Sequence, residues 1–398
     1  MDIQVDFSGR GVDYTEEEIA VAVEAMRVAN PLTQGRYQSA FEEKFRSFNG
    51  AGHAFAVSNG TCALEIAAQL CRLKDGDEVV VPSHTFTSSA YPFLKRGGKP
   101  VWADIDPRTR VVTAETLKRA LTSRTKVIVA VHLYGYVADM PAIMALARER
   151  RILVVEDACQ AIGADIDGVR AGNFADFGVF SFHSHKNLTT LGEGGMLTVK
   201  DDTLADLVPL LRHNGHCPFA FEREDYWIPA MGNVDLPELE GERLWPANFC
   251  LGEVECALGA RQLDRVDSIN AQKRGRALAF IDALREYPEL VFHRVETSRH
   301  NYHLLAARME GSVARRDDFI RRMMKEHGIK CVVQYYPLNR YPFYQKLGFG
   351  RADCPAADDF FDHMISFPFQ HNMTEDEYRR MLAATLRTLD EQRRRRLL

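Results

Sequence analysis

The sequence predicts an α/β protein in which a mostly parallel sheet is covered by helices and followed by a smaller α+β domain. Short, continuously apolar runs alternate with segments of helical periodicity, which is typical of a parallel sheet buried on both faces. The chain has 398 residues, of which 46% are hydrophobic and 26% are charged. This is long enough for two domains. We expect a large domain over residues 1–260 and a small one over residues 261–398.

Two helices are predicted before the sheet. The first covers residues 15–28, where Thr15 and the three glutamates after it form a capping start. Its apolar side chains form one stripe, which consists of Ile19, Ala22, Val23 and Met26. The second helix covers residues 41–48 and is ended by Asn49-Gly50.

The alternation of strands and helices follows these two helices. Predicted strands cover residues 54–57, 78–82, 99–105, 126–133, 152–156, 177–182 and 196–199, and predicted helices cover residues 61–73, 87–95, 114–121 and 139–150. Ligands usually bind outside the carboxyl ends of parallel strands. We therefore expect the functional site in the loops that follow the strands.

The second half of the chain is less regular. A helix is predicted over residues 204–212, and the proline- and glycine-rich residues 214–247 are predicted to form a long active-site loop. One long helix, over residues 253–285, then leads into the small domain. This domain is predicted to contain strands near residues 290–295, 302–309 and 331–336, and helices over residues 316–327 and 375–396.

Composition excludes several classes of protein. With 50 Lys and Arg against 55 Asp and Glu, the net charge is −5, which argues against a nucleic-acid coat. No stretch approaches the roughly 20 apolar residues that span a bilayer, and the first ten residues look like neither a secretory signal nor a transit peptide. The eight cysteines form no C-x-x-C pair. We expect reduced thiols, no metal site and a cytoplasmic location.

Three motifs at predicted strand ends carry polar groups. In Ser58-Asn59-Gly60-Thr61 a helix opens after a tight turn, so the N–H groups of Thr61 and Cys62 could bind a phosphate, although an ordinary capped helix start is the simpler interpretation. Asp157 either caps the next helix or holds a proton on a ligand's ring nitrogen. Ser181 could bind a phosphate, and Lys186 is either a surface lysine or an amine that forms a Schiff base.

Together the three motifs indicate one cofactor. A phosphate site, a carboxylate near a pyridine nitrogen and a lysine that can form an imine are the groups that pyridoxal 5'-phosphate requires. A carboxylate at Asp157 would keep the ring nitrogen protonated. The amine of Lys186 would hold the aldehyde and later carry a proton.

The motifs also identify a family. Over nearly the whole chain the sequence resembles the DegT/DnrJ/EryC1/StrS family of sugar aminotransferases, which have the aspartate aminotransferase fold (fold type I). The matching stretches, in the family's order, are 32–35 (Leu-Thr-Gln-Gly), 58–61, 81–86 (Val-Pro-Ser-His-Thr-Phe), 131–135 (Val-His-Leu-Tyr-Gly), 156–161 (Glu-Asp-Ala-Cys-Gln-Ala), Ser181-Phe182 with 186–188 (Lys-Asn-Leu), and 192–195 (Gly-Glu-Gly-Gly).

This resemblance implies a role for each matching position. Lys186 resembles the Schiff-base lysine and Asp157 the partner of the pyridinium nitrogen. The resemblance further implies that Gln160 lies on the side of the ring hydroxyl, that Gly60, Thr61 and Ser181 hold the phosphate, and that Phe86 stacks on the ring. Asn248 resembles an asparagine that a neighbouring subunit extends to the phosphate, which implies a homodimer with shared sites.

Departures from the family pattern concern the substrate. Cys250 replaces the usual arginine two residues beyond Asn248, and Asn339 stands where many members carry histidine. The candidate residues for the acceptor wall are Tyr134, His183, His185, Tyr226, Trp227, Tyr336 and Asn339.

The predicted activity is transfer of an amino group from glutamate, or alternatively glutamine, to a nucleotide-linked keto-sugar. A free keto-sugar, a keto-cyclitol or another small carbonyl compound is the alternative acceptor. A dehydratase relative carries histidine in place of the lysine, whereas Lys186 is present here. No G-x-G-x-x-G follows the first buried strand, which argues against a nicotinamide dehydrogenase. A binding protein that kept the fold and lost catalysis would be expected to lose Lys186 or Asp157 first.

Overall fold

A computed structural model describes residues 3–7, 9–219 and 232–396 of the chain. The helices are α1 (Glu16–Val28), α2 (Arg36–Asn49), α3 (Gly60–Leu70), α4 (Tyr91–Leu94), α5 (Ala114–Ala120), α6 (Met140–Arg150), α7 (Asp202–Ala205), α8 (Val208–Arg212), α9 (Glu253–Gln262), α10 (Val266–Ala283), α11 (Val313–His327), α12 (Pro342–Lys346), α13 (Pro355–His363) and α14 (Glu375–Arg396). Tyr226 and Trp227 lie outside the described residues.

The strands lie in two groups along the chain. The first group is β1 (His53–Val57), β2 (Glu78–Pro82), β3 (Lys99–Ala103), β4 (Thr125–Val131), β5 (Leu153–Asp157), β6 (Asp165–Ile166), β7 (Val169–Arg170), β8 (Phe177–Ser181) and β9 (Gly195–Val199). The second is β10 (His216–Cys217), β11 (Asn233–Val234), β12 (Glu238–Leu239), β13 (Glu242–Arg243), β14 (Leu290–Phe292), β15 (Leu305–Met309) and β16 (Met364–Phe367).

A seven-stranded sheet organises the first half of the chain, in the order β1-β9-β8-β5-β4-β2-β3. β9 is antiparallel to both of its neighbours, and the remaining pairs are parallel. The carboxyl ends of β1, β2, β4, β5 and β8 therefore meet at one edge. The predicted mostly parallel α/β sheet is confirmed, and the apolar runs that predicted it are buried, as in Val79, Val80 and Val81 of β2.

The first helix forms as predicted, but its apolar stripe does not pack into the core. Thr15 and Glu18 cap α1 reciprocally. Ile19 is 43% and Met26 is 67% exposed, whereas Ala25 is buried. The buried Glu18 instead pairs with Arg265 at 2.8 Å. Hydrophobic spacing thus identified the helix correctly, while its apolar face is left on the surface of the chain.

Three other sequence-based predictions are corrected by the structure. Residues 204–212 form two short helices, α7 and α8, with Pro209 in the first turn of the second. The long helix over residues 253–285 is divided into α9 and α10 by a 3-10 turn at Leu263–Arg265. Residues 331–336 contribute only one bridge, Val332 to Ser366, and the strand that completes the small sheet is β16.

Apolar side chains form two clusters. The first surrounds the large sheet and also includes Leu263 and Leu338. The second surrounds β14, β15 and β16 and includes Val5 from the start of the chain. The domain boundary at residue 260 stays a prediction. No helix among the described residues is long and apolar enough to cross a membrane.

Candidate active site

A cavity of about 510 Å³ opens at the carboxyl edge of the large sheet. Its volume lies in the range of small-molecule sites. The predicted residues that line it are Gly60, Thr61, Phe86, Asp157, Gln160, Ser181, His183, His185 and Lys186. The topology brings them together because β1, β5 and β8 all end at this edge.

The start of α3 forms the base of the cavity. The side chain of Asn59 caps the helix by accepting a hydrogen bond from the Cys62 N–H at 3.0 Å. The first N–H groups of a helix have no partner within the helix, and the helix dipole is positive at this end. Because Asn59 already accepts from the Cys62 N–H, the N–H groups of Gly60 and Thr61 are the ones that can bind an anion. The Thr61 hydroxyl lies 2.9 Å from that of Ser88, which also lines the cavity.

Cys62 belongs to the predicted cofactor-binding set, and its groups have partners within the chain. Its N–H belongs to the helix cap, and its Sγ accepts a hydrogen bond from the Ser58 hydroxyl at 3.2 Å. The structure shows the capped helix start at Cys62, and a contact of its N–H with the phosphate stays a prediction.

The carboxylate of Asp157 is buried and oriented by two donors. The Ser89 hydroxyl donates to Oδ2 at 2.7 Å, and the Cys159 N–H donates to Oδ1 at 3.2 Å. The amide of Gln160 is fixed in a similar way: its Oε1 accepts from the Tyr134 N–H at 2.7 Å, and its Nε2 donates to the Tyr335 hydroxyl at 2.9 Å. Both side chains are therefore held in place before any ligand binds.

Lys186 lies in the loop between β8 and β9, with its side chain on the cavity. The loop is anchored by Asn187, whose Nδ2 donates to the Asn270 Oδ1 at 2.9 Å. Burial lowers the pKa of Lys186, and the negative charge of Asp157 partly opposes this shift in pKa. Enclosure thus favours the neutral amine, which is the form that attacks an aldehyde.

Aromatic and imidazole rings surround the mouth of the cavity. Phe86 is 54% exposed there, and its ring meets that of Tyr335 edge to face at 6.2 Å. The rings of His183 and His185 are 5.0 Å apart, and His183 Nε2 lies 3.9 Å from a carboxylate oxygen of Glu193. Burial, then the neighbouring His183 and Lys186, lower the pKa of His185.

Three residues predicted for the acceptor wall do not line the cavity. Tyr134 is buried behind it, with its hydroxyl 2.7 Å from His84 Nε2 and donating to the Gln334 carbonyl at 2.7 Å. Tyr336 packs its ring against Tyr341 and Phe361. Asn339 is buried in the turn before α12. Tyr336 is nevertheless 39% exposed, and a contact of these three residues with the acceptor stays a prediction.

Asn248 does not line the cavity of its own chain either. It is exposed and lies in a segment that pairs with residue 213. Cys250, two residues further on, donates from its Sγ to the Arg212 carbonyl at 3.7 Å. This position is compatible with a contact to another subunit.

The sequence analysis missed several residues of the cavity. Ser88, Lys273, His303, Gln334 and Tyr335 all line it. Ser88 follows β2 and could have been found by examining that strand's end more closely. The others lie in the second half of the chain, Lys273 on α10 and the rest beyond it. None of them follows a strand of the large sheet, so the search of strand ends could not find them.

These residues fit pyridoxal phosphate. At Gly60 an added Cβ would lie 2.9 Å from Cys159 Sγ and 3.2 Å from Ser181 Cβ, so the helix start packs too closely for a larger residue. Amides and hydroxyls for a phosphate, a fixed carboxylate and a buried amine then face one cavity. The fold and this donor set define a pyridoxal-phosphate-dependent enzyme of the aspartate aminotransferase type.

The comparisons with known proteins identify the family. The model of the DegT/DnrJ/EryC1/StrS aminotransferase family matches residues 13–386. The chain is 34% identical to GDP-perosamine synthase of Caulobacter vibrioides over 353 residues, 88% of this chain and 89% of the relative. It is 35% identical to L-glutamine:2-deoxy-scyllo-inosose aminotransferase of Streptomyces lividus over 308 residues, 76% of this chain and 70% of the relative.

A solved structure agrees with this result. The aminotransferase TlmJ from Streptoalloteichus hindustanus superposes with a TM-score of 0.85 at 26% identity, covering 98% of this chain and 100% of that one. The chain belongs to the DegT/DnrJ/EryC1/StrS aminotransferase family. It is therefore an aminotransferase that uses pyridoxal phosphate.

Proposed function

We propose that this aminotransferase moves an amino group from glutamate to the keto group of a nucleotide-linked sugar. The observation that carries the proposal is the single cavity that the Lys186 amine, the Asp157 carboxylate and the start of α3 share. The name of the Caulobacter relative supports a nucleotide-linked acceptor.

Different residues around the cavity would bind different parts of pyridoxal phosphate. Pyridoxal phosphate, when bound, supplies an aldehyde that takes up the amino group and a ring that accepts an electron pair from a broken Cα–H bond. The amides of Gly60 and Thr61 and the hydroxyls of Thr61 and Ser181 hold its phosphate at the positive end of α3. Asp157 would hold a proton on the ring nitrogen, and Phe86, which lines the cavity, would cover one face of the ring.

Lys186 does the proton chemistry. Its Nζ would take the proton from Cα of the donor and pass it to the cofactor, which keeps the amino group, while a water molecule supplies the oxygen of the departing 2-oxo acid. In the second half of the cycle the keto oxygen of the acceptor would leave as water, and Nζ would deliver a proton to the former keto carbon, so that the acceptor departs as the amine. An amine with a lowered pKa suits this role because it is neutral over more of the physiological pH range.

A keto-cyclitol is the second acceptor class. It is favoured by the name of the Streptomyces relative, which gives 2-deoxy-scyllo-inosose as the acceptor and L-glutamine as the donor. Assaying both acceptor classes and both donors under the same conditions decides between them.

The working unit we propose is a homodimer in which each subunit extends Asn248 to the phosphate of the other. Exposed apolar side chains support this assembly. Trp245, three residues before Asn248, is 57% exposed, and the stripe of α1 faces outward.

We place the enzyme in the cytoplasm, which the eight unpaired cysteines support.

Absorption spectroscopy tests the donor half-reaction. We expect the purified protein, loaded with pyridoxal phosphate, to lose its visible band and gain the near-ultraviolet band of the amine form when glutamate is added. Lys186→Ala should fold with an unchanged melting temperature and show no such conversion, because the lysine projects into the cavity. Lys74→Ala, an exposed lysine, is the matched control.

The outcomes separate the competing functions. A Lys186→Ala protein that still turned over would remove the lysine from the mechanism. A wild-type protein that stayed colourless after addition of pyridoxal phosphate would support a binding protein that has lost catalysis.

A further inference from the structure

A second lysine lines the active-site cavity. Lys273 lies on α10, one turn after Asn270. Because Asn270 binds Asn187, the neighbour of Lys186, this face of α10 is held against the loop that carries the catalytic amine. Lys273 has no role in the mechanism described above.

The amine of Lys273 is buried, bonded only to main-chain carbonyls, and has no counter-charge among the described residues. Its Nζ donates to the main-chain carbonyls of His303 at 2.9 Å and Phe369 at 3.0 Å. An ammonium group has three donors, so these two bonds leave one. Burial alone lowers the pKa of Lys273 to about 7, and no charged group among the described residues offsets that shift in pKa. A buried ammonium without a counter-charge is stabilised when a ligand supplies one.

Besides Lys273, the side chains on the described part of the cavity wall that can carry a positive charge are Lys186, His183, His185 and His303. The wall there contains no arginine, and its other lysine is Lys186, which the chemistry occupies. Burial, then the charges of Lys186 and Lys273, holds the pKa of His303 well below the usual range, so its imidazole is neutral. The pKa of His185 is lowered as well.

We propose that Lys273 binds the α-carboxylate of the amino donor. This proposal rests on the proposed function, because it requires an amino-acid donor. The carboxylate is bonded to the carbon whose proton Lys186 removes, so it must bind close to the Lys186 loop. The diphosphate of a nucleotide-linked acceptor lies beyond its sugar ring and is further from that loop. Lys273 is therefore a positioning residue that is specific for the donor.

Two variants test this role in separate half-reactions. Lys273→Met keeps the unbranched, flexible stem of the side chain and removes the charged amine at its end, and Lys273→Arg keeps the charge. In stopped-flow experiments we expect Lys273→Met to raise the half-saturating glutamate concentration roughly tenfold or more, the effect of losing a hydrogen bond to a charged group. The half-saturation of the acceptor should stay unchanged, and Lys273→Arg should restore part of the donor affinity.

A comparison of donors makes the test more specific. The compound 4-aminobutanoate is glutamate without its α-carboxylate, so the preference of the wild type for glutamate over it should shrink in Lys273→Met. A structural role would lower the melting temperature and leave this preference unchanged, and that result would overturn the proposal. A weaker acceptor half-reaction with normal donor binding would overturn it too, by placing Lys273 at the diphosphate.

A binding measurement separates this proposal from the proposed function. The 2-oxo acid 2-oxoglutarate has the same carboxylates and does not react with the pyridoxal form of the enzyme. Calorimetry on the loaded wild type and on Lys273→Met should give a Kd that is roughly tenfold higher in the variant. An equal Kd in the two proteins would refute the carboxylate site, even if the wild type converted glutamate as expected.

Discussion

At the scale of single residues, the proposed chemistry of this site depends on the environment of Lys186. Burial lowers the pKa of Lys186, and negative charges nearby raise this pKa. A thiolate at Cys159 would be one such charge, but burial raises the pKa of Cys159 well above its usual range, so this thiol stays neutral. Asp157 is then the charge that acts on the lysine.

This balance predicts the pH dependence of cofactor uptake. The protonated amine does not attack an aldehyde, so the rate at which cofactor-free protein regains its visible absorption should rise with pH. It should level off at a pH below 10.5, the ordinary lysine pKa. Asp157→Asn removes the opposing charge and should move the midpoint to a lower pH.

The matched control for this measurement is Asp75→Asn, at an exposed carboxylate, which should leave the midpoint of cofactor uptake in place. A midpoint at or above 10.5 in the wild type, or a shift to higher pH in Asp157→Asn, would contradict the assignment.

Single residues also show how far sequence reasoning reached. Lys186, Asp157 and Ser181 were predicted because each follows or ends a continuously apolar strand. Lys273 and Tyr335 were not, because they reach the cavity from elements outside the large sheet, and their approach depends on tertiary packing. Tyr134 was predicted as a wall residue, and its hydroxyl contacts His84 and the Gln334 carbonyl, a contact that only tertiary packing determines.

At the scale of elements, the start of α3 is the part of the fold to which we assign the cofactor phosphate in the proposed function. Gly60 permits its close approach to β8, since an added Cβ would lie 3.2 Å from the Phe180 carbonyl and 2.9 Å from Cys159 Sγ. Gly60→Ala should therefore displace the helix start, lower the affinity for pyridoxal phosphate and cost about 1–3 kcal/mol of stability.

A second glycine provides the control for Gly60→Ala. Gly275 lies inside α10, and a Cβ there would meet nothing within 4 Å. Gly275→Ala should raise the free energy of unfolding by roughly 0.5–1 kcal/mol and leave cofactor affinity unchanged. Titration with pyridoxal phosphate and denaturant unfolding of both variants give the comparison. Equal cofactor affinity in Gly60→Ala and the wild type would mean that the phosphate lies elsewhere.

Elements were predicted best where the hydrophobic pattern and the flanking turn residues indicated the same boundaries. The strands of the large sheet are mostly apolar and are bounded by turns, so their type was correct and their bounds were correct to within two residues. β16 was missed because it has only four residues and directly follows α13. The division between α9 and α10 has no proline or glycine to mark it, so the periodicity predicted one continuous helix.

At the scale of the whole molecule, the surface of the chain exposes apolar side chains that do not pack into its own core. The stripe of α1 is apolar and exposed, and Asn248 and Trp245 lie on the surface away from the cavity of their own chain. The sequence predicted the helix and the asparagine. It could not show that the stripe faces outward, because hydrophobic spacing is the same for a core and for an interface.

The shared-site dimer predicts recovery of activity in hybrid dimers. Lys186→Ala lacks the amine in its own site but still supplies Asn248 to its partner. Asn248→Ala keeps the amine but supplies no asparagine. In a hybrid, the site that retains Lys186 receives Asn248 from the other chain and is complete. In a mixture that exchanges subunits at random, half of the dimers are hybrids, each with one complete site, so activity should recover to about a quarter of the wild-type value.

The control for this recovery mixes Lys186→Ala with a double variant, Lys186→Ala and Asn248→Ala, in which no site has the amine, and activity should stay absent. Subunit exchange is verified by mass spectrometry of the native dimers. Hybrids that formed without recovering activity would show that Asn248 acts within its own chain or not at all. Full activity of Asn248→Ala alone would remove it from the site. Recovery to the expected level would mean that two chains build each active site, and it would account for the exposed position of Asn248 outside the cavity of its own chain.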